Sequence, residues 1–474
     1  MIQEKCPYVE KCGACHMGQT TYEEELIAKK ELVESHIGKY CRNIHDVAGM
    51  YYPFHYRNKV HAVFGRLKDE VIAGTYSEGT HTIVPIDNCL IEDAQASAII
   101  KTVTELVKSF KIWIYNEDTG RGVLRHVLVR KGMSTKQIMV VLVTACPEFP
   151  HKNNFVAELR KRHPEITTIV QNINEANTTM VLGERNKPLY GEGYIEDVLC
   201  GLRFRISPNS FYQVNSAQTQ VLYKKAIQAA GLTGKETVVD AYCGIGTIGM
   251  AMASKAGKVL GIELNRDAVK DAKANAKRNN LNNIHFVAAD ATEYLTSMAQ
   301  EGVKADVVVM DPPRSGSTEE FIQAVAQLAP ERVVYVSCNP ETLGRDLESF
   351  KKVKYRAVEA WPVDMFGWTN HVETVVLLSK GMVDCRKVKV DFSLEDMDLT
   401  ELRGKATYAQ VKEYILSECG LKVSSLYIAQ VKKKCGIETG ENHYLPKSEE
   451  AKQPHVTPEK EEAIMKAFKH FGVI

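Results

Sequence analysis

Along the chain the spacing of apolar positions changes twice. Residues 21–39 carry them at helical spacing, and short β-branched runs follow at 59–64, 126–130 and 137–144, divided by Gly, Asp and Asn. Runs of this kind bounded by turn-forming residues predict a compact, strand-rich domain over residues 1–204. From 205 the rhythm is different: apolar runs at 237–240, 258–263, 285–290, 305–311, 332–338 and 372–378 alternate with amphipathic stretches. Strand–helix alternation predicts an α/β domain with a parallel, doubly wound sheet over 205–380. Beyond 381 the pattern turns helical, at 408–420, 423–435 and 457–471, with a polar, Pro-containing interruption at 445–458. That predicts a small helical extension over 381–474.

Composition narrows the class. A hydrophobic content of 44% with 25% charged residues excludes a disordered or collagen-like chain. The longest apolar run, 138–143, falls far short of the ~20 residues that span a bilayer. The first residues lack the charged-then-apolar pattern of a secretion signal. A cytoplasmic protein without a membrane partner is expected, and its twelve cysteines are then expected to be reduced. The formal charge of +1 excludes a chain that is basic all over, but not local basic faces.

The run 237–240 leads into Ala241-Tyr242-Cys243-Gly244-Ile245-Gly246-Thr247-Ile248-Gly249, with Glu263 ending the next apolar run. Glycines at G-x-G-x-x-G spacing let the backbone approach a ligand, and a carboxylate ending the second strand can hold ribose hydroxyls. The match alone fits a dinucleotide or S-adenosylmethionine. Asp240 before the turn and Asp290 ending the third run favour adenosylmethionine, as no Arg or Lys stands ready for a pyrophosphate. Two further strand ends, Asp311-Pro312-Pro313-Arg314 and Ser337-Cys338-Asn339-Pro340, must face the same crevice.

A cysteine at a strand end is ordinarily a small buried hydrophobe. At a crevice rim beside a methyl donor it has a second use. Carbon 5 of uracil is a poor nucleophile, and a thiolate adding to carbon 6 turns the ring into an enolate that can take a methyl group. A base must then remove the carbon 5 proton, and Glu373 in His371-Val372-Glu373 is the candidate.

These stretches, with Ser210-Phe211-Tyr212-Gln213-Val214-Asn215, resemble in order and content the RNA uracil-C5 methyltransferase family, over about residues 1–380. The resemblance implies a Rossmann-like class I methyltransferase fold, Cys338 as nucleophile and Glu373 as proton-abstracting base. It further implies that Gln213, Tyr242, Gly244, Glu263, Asp290 and Asp311 contact adenosylmethionine and the target uracil.

Cys6, Cys12 and Cys15 fall within ten residues around Gly13, a spacing that suits a bound metal species, zinc or iron–sulfur, in need of a fourth ligand. Cys41, Cys89 and Cys146 compete for that place. The ribosomal branch of the resembled family carries C-x5-C-G-x-C and one later cysteine around a 4Fe–4S cluster, which implies Cys89. Members often carry a small RNA-binding barrel, the TRAM domain, ahead of these cysteines, and this sequence begins at them.

Two windows, 51–68 and 121–136, lack acidic residues, and the first is rich in aromatics. Basic side chains neutralise phosphates and aromatics stack unpaired bases, so Arg57, Lys59, Arg125, Arg130 and Lys131 are candidate RNA contacts, with Arg314 beside the extracted uridine. The expected substrate is 23S ribosomal RNA. The alternatives are transfer RNA, or an idle RNA-binding protein that keeps the fold. No sequence feature points to DNA, and without an extended apolar stripe a monomer is expected.

Overall fold

The computed structural model describes residues 6–68, 70–176, 180–380, 411–412, 414–416, 421–435 and 456–470. It divides into two compact units, Met1–Val390 and Asp391–Ile474.

The first unit holds two seven-stranded sheets. One contains β1 (Lys59–Leu67), β2 (Glu70–Tyr76), β3 (Ile83–Pro85), β4 (Leu124–Lys131), β5 (Ile138–Thr144), β6 (Ile166–Ile173) and β7 (Arg185–Tyr190), ordered β3-β2-β1-β4-β5-β6-β7. Its Val60, Val127, Val129 and Val140 face the helices Ala94–Ser109 and Lys152–Arg162. Alternate residues, Leu128, Met139 and Val141, join a different core with the hairpin β8 (Ile195–Leu199) and β9 (Leu202–Ile206). The period-2 alternation of side chains thus buries both faces.

The second sheet contains β10 (Thr237–Ala241), β11 (Lys258–Glu263), β12 (Ile284–Ala288), β13 (Val307–Met310), β14 (Arg332–Ser337), β15 (Tyr355–Val363) and β16 (Glu373–Lys380). Its order is β12-β11-β10-β13-β14-β16-β15, parallel as far as β14, with β16 antiparallel to its two neighbours. Helices cover both faces, as strands apolar on both sides require. Val238, Val307 and Val334 meet one layer of helices while Val239, Val308 and Val333 meet the other.

The sheet is therefore mixed, not purely parallel, and the strand absent from the expectation is β15. Its sequence, Tyr-Arg-Ala-Val-Glu-Ala-Trp-Pro-Val, is polar in its first half and contains Pro362, the pattern of an edge strand. That edge is covered by the chain's own beginning: Ile44 and Ala48 bridge to Ala360 and Val363. The helix Tyr22–Ile37 opens on a capping box between Thr21 and Glu24 and buries Val33 and Ile37 in the core of the second sheet. Segments 1–204 and 205–380 accordingly lie in one compact unit.

In the second unit the helices Ser425–Lys434 and Pro458–His470 enclose a separate core that includes Ile428, Val431, Ile464 and Phe468. The expected stretch 408–420 falls partly outside the described residues.

Candidate active site

At the end of β10 the chain turns from strand to helix through left-handed backbone at Tyr242 (φ +62°), Gly244 (+54°) and Gly246 (+82°). A Cβ on Gly246 would stand 2.5 Å from the Phe286 ring, so the position needs glycine for space as well as for φ. Gly249 passes over Asp240 and donates its N–H to Oδ2 at 2.8 Å. The Gly244 N–H reaches Glu263 Oε2 at 3.0 Å, and Asn265 N–H reaches Oε1 at 2.8 Å, which fixes Glu263 at the strand end. Asp240 Oδ1 is buried with no hydrogen-bond partner. Burial, with Asp311 and Glu263 nearby, pushes this carboxyl up to about 7. A buried orphan acceptor beside a glycine turn is a place for a ligand's donor.

Tyr242 packs against Phe321, ring centroids 5.1 Å apart. Asp290 lies beyond β12, where its Oδ1 accepts from Thr292 and Glu293 and caps the helix Ala291–Gln300. Gln213 is buried, its carbonyl accepting from Asn58 Nδ2 at 3.1 Å, and Asn58 also reaches Ser216 Oγ at 3.0 Å. Two apolar side chains near these residues are exposed, Phe211 of the motif at 66% and Leu264, next to Glu263 and absent from the expectation, at 71%. Only its exposure marks Leu264, and a sequence does not carry it.

β14 and β16 run antiparallel with Ser337 opposite Thr374, so one step further brings Cys338 level with Glu373. Asn339 caps the helix that starts at Pro340 and fixes the turn after Cys338. Its side chain also donates to the Arg314 carbonyl at 3.3 Å, tying the Asp-Pro-Pro-Arg loop to the cysteine loop. Asp346 anchors the same loop by accepting from Ser317 N–H and the Tyr335 hydroxyl, each at 2.6 Å.

These side chains also act on one another electrostatically. Burial, then Glu373 and Asp311, push the Cys338 thiol up to about 11, and Arg314 opposes them. Glu373 is 4% exposed, and burial and Asp311 raise its carboxyl while Arg314 lowers it. Burial likewise raises Asp311. A thiol, two raised carboxyls and one cation meet here.

The segment leading into Glu373 is held by residues 22–56. Lys29 lies between Glu25 and Asp364, 2.6 Å from each, and Tyr22 donates to Asp364. Glu25 also accepts from Trp368 N–H at 2.7 Å. Tyr56 reaches the Gly367 carbonyl at 2.9 Å, and Trp368 Nε1 reaches that of Pro53 at 2.8 Å. In sequence, Glu25 and Lys29 read as an ordinary exposed i,i+4 pair.

Of the six candidate RNA contacts, only Arg314 is both exposed and electrostatically in reach of Cys338 and Glu373. Arg125 and Arg130 are each 5% exposed. Arg125 donates to the carbonyls of Asn174 and Ala176 and stacks on Tyr115. Arg130 reaches the Ser207 carbonyl at 3.4 Å. Lys131 pairs at 2.8 Å with Asp93, the N-cap of the helix Ala94–Ser109. Arg57 and Lys59 are half-buried, and burial, then Arg130 and Arg57, push Lys59 down to about 8.

Cys6, Cys15 and Cys89 pack on one cluster with Met17, Tyr22, Tyr56, Ile91 and Trp368. Cys12 is near enough to feel Cys6, and Cys15 both of them. Cys89 in turn feels Cys15. Thiol chemistry suits a soft metal centre. Among the described residues, however, no three His, Cys, Asp or Glu side chains converge into a group that could hold a metal ion. The donors are gathered but not arranged as ligands. Among the described residues no helix is long and apolar enough to cross a membrane.

Comparison with known proteins agrees with this geometry. The profile of the tRNA (Uracil-5-)-methyltransferase family matches residues 184–381. An RNA methyltransferase of Halalkalibacterium halodurans is 42% identical over 381 residues, 80% of this chain and 83% of its own length. One from Caldanaerobacter subterraneus subsp. tengcongensis is 42% identical over 382 residues, 80% and 84% of the two chains. Among solved structures, the Pyrococcus abyssi tRNA (uracil-54, C5)-methyltransferase, in complex with S-adenosyl-L-homocysteine, superposes with a TM-score of 0.63 at 28% identity. It covers 76% of this chain and 83% of its own. The chain therefore belongs to the family of S-adenosylmethionine-dependent RNA uracil-C5 methyltransferases.

Proposed function

We propose that Cys338 and Glu373 carry out covalent methylation of carbon 5 of uridine, and that the substrate is 23S ribosomal RNA. The observation behind the mechanism is the register of β14 and β16, which sets the thiol level with the carboxyl. As thiolate, Cys338 adds to carbon 6; the sulfur–carbon bond forms, and the carbon 5–carbon 6 π pair moves into an enolate. Asp240, Gly244 and Glu263 would hold adenosylmethionine, which would supply an electrophilic methyl group: carbon 5 takes it as the methyl–sulfonium bond breaks, and S-adenosylhomocysteine is the leaving group. The Glu373 carboxylate then accepts the proton from carbon 5. The double bond returns and the sulfur–carbon 6 bond breaks, releasing the thiolate. Arg314 stands where it favours both ionised groups.

The experiment is trapping. A fluorine at carbon 5 cannot leave as a proton, so 5-fluorouridine RNA with adenosylmethionine gives a stable adduct that Cys338→Ala abolishes. Absence of an adduct with every RNA pool overturns the mechanism.

The cysteine spacing supports ribosomal RNA, and with it a 4Fe–4S cluster on Cys6, Cys12, Cys15 and Cys89 in a positioning role. No chemical step passes through such a cluster. Anaerobically purified protein is expected to be brown, and Cys89→Ala to lose the colour; full colour in that variant removes Cys89 from the ligand set. The solved relative's transfer-RNA substrate favours the second reading. Mapping 5-methyluridine in both RNA pools from cells lacking the protein separates the two. A cytoplasmic location follows from either substrate.

A further inference from the structure

Three tryptophans occur in the chain, and two of them, Trp361 and Trp368, are buried at 3% and 7% exposure. Trp113 is 56% exposed, although its neighbours Ile112 and Ile114 are buried in the core of the first sheet. Its backbone is fixed, with the carbonyl accepting from Val123 at 2.8 Å and Leu124 at 3.2 Å. Alternation along the extended segment holds the indole outward on a rigid base. A lone exposed apolar residue is ordinary, and it is the surroundings of this ring that give it a use.

The surroundings define that partner. Trp113 borders two clefts, of about 500 and about 550 Å³. The first is flanked by Arg66, Lys108 and Lys111, the second by Arg66 and Arg121. Two of the three acids are engaged: Glu70 faces Lys108 at 3.9 Å, and Glu117 takes the Tyr76 hydroxyl at 3.0 Å and His81 at 3.3 Å, while Asp118 lines the second cleft. The second cleft has aromatic walls in Tyr76 and Tyr115 and reaches His126, which is 6% exposed. His126 Nδ1 has no hydrogen-bond partner, nor does Nε2 of His61, whose ring lies 4.9 Å behind it. Burial, the largest cause, lowers both imidazoles, so neither ring adds charge beneath the cleft. A flat apolar ring beside a cationic cleft of Arg66, Lys108 and Lys111, with Tyr76 and Tyr115 walling the cleft on its other side, matches an unpaired nucleobase with its phosphate on the cationic side. A protein partner would call for a contiguous apolar patch, whereas this ring is surrounded by charge.

We propose that Trp113 is the stacking platform of a second RNA-contact site, which takes one unpaired base of the substrate RNA apart from the uridine at Cys338. The site rests on the reading of the chain as an RNA enzyme and is testable separately from its chemistry. Titrating the full-length protein with a mixed-sequence single-stranded RNA quenches tryptophan emission, and Trp113→Phe removes the quenching while keeping most of the affinity. With RNA from cells lacking the protein, Trp113→Ala raises KM for RNA roughly tenfold, the size of one base–aromatic stack, and the loss falls in KM rather than kcat. Arg121→Gln shallows the dependence of binding on salt and does not require the indole to change. Unchanged KM in Trp113→Ala, or RNA bound by anisotropy without quenching, overturns the proposal. Quenching without methylation of any RNA would instead refute the catalytic reading and leave the site standing.

Discussion

Cys338 and Glu373 stand level across β14 and β16, one residue beyond the pair Ser337 and Thr374. Two residues 35 positions apart in sequence thus meet at a crevice because one strand of the sheet runs against the others. Asp311 joins them from the end of β13; with burial, it raises the carboxyl of Glu373, and both carboxyls raise the Cys338 thiol. The mechanism we propose divides two tasks between them, addition by sulfur and proton removal by carboxylate, and each makes a different variant informative.

Glu373→Gln keeps the nucleophile and loses the base. It is expected to form an adduct with ordinary uridine-containing RNA and to release it slowly, with turnover reduced about 10²- to 10⁴-fold, the usual contribution of a general base. A denaturing gel of labelled RNA checks this. Absence of a band in Glu373→Gln while methylated RNA is still released would exclude Glu373 as the base.

The pH profile follows from the direction of the shifts. Glu373 acts as a carboxylate, and its carboxyl is raised, so activity falls as pH drops through that raised value and grows toward alkaline pH, where Cys338 also ionises. Stability runs the other way: a carboxyl raised in the folded state contributes stability at acid pH that is lost as pH climbs through the folded value. Glu373→Gln should therefore gain in Tm over the parent as pH rises from acid to alkaline, and a pH-independent difference would contradict the burial argument.

Gly246→Ala meets two obstacles at once, a φ of +82° and the Phe286 ring. Left-handed backbone and overpacking each cost about 1–3 kcal/mol. Calorimetry should show a lower Tm and weakened adenosylmethionine binding, because the displaced turn carries the Gly244 N–H that steadies Glu263. Unaltered cofactor affinity would mean that the turn does not shape that site.

Lys29→Met leaves Glu25 and Asp364 facing each other in a dry interior. Removing one partner from a buried ionic group costs about 3–5 kcal/mol. Urea unfolding should register the loss, and Lys29→Arg should recover only part of it. Because Glu25 holds the Trp368 amide, five residues before Glu373, RNA methylation should weaken along with stability.

The glycine turn, the two proline-flanked loops and the apolar runs that become β10 to β14 and β16 are local in origin. Short β-branched runs form strands, and strand ends in such sheets face one crevice whatever the surrounding loops do. The chemistry-bearing residues sit at those ends and could be picked out in order. Four things were decided by tertiary structure. Pro362 and the polar start of β15 conceal an edge strand that only pairing with β16 reveals. The basic window 121–136 supplies cations to a sheet interior, where Arg125 and Arg130 hold carbonyls and Lys131 holds a helix cap. Glu25 and Lys29, a surface pair by spacing, are the buried anchor of the segment before Glu373. Trp113 is exposed where hydropathy would have buried it. In each case side-chain chemistry is written in the sequence, but its use depends on burial and on distant partners, and those exist only once the sheets have packed.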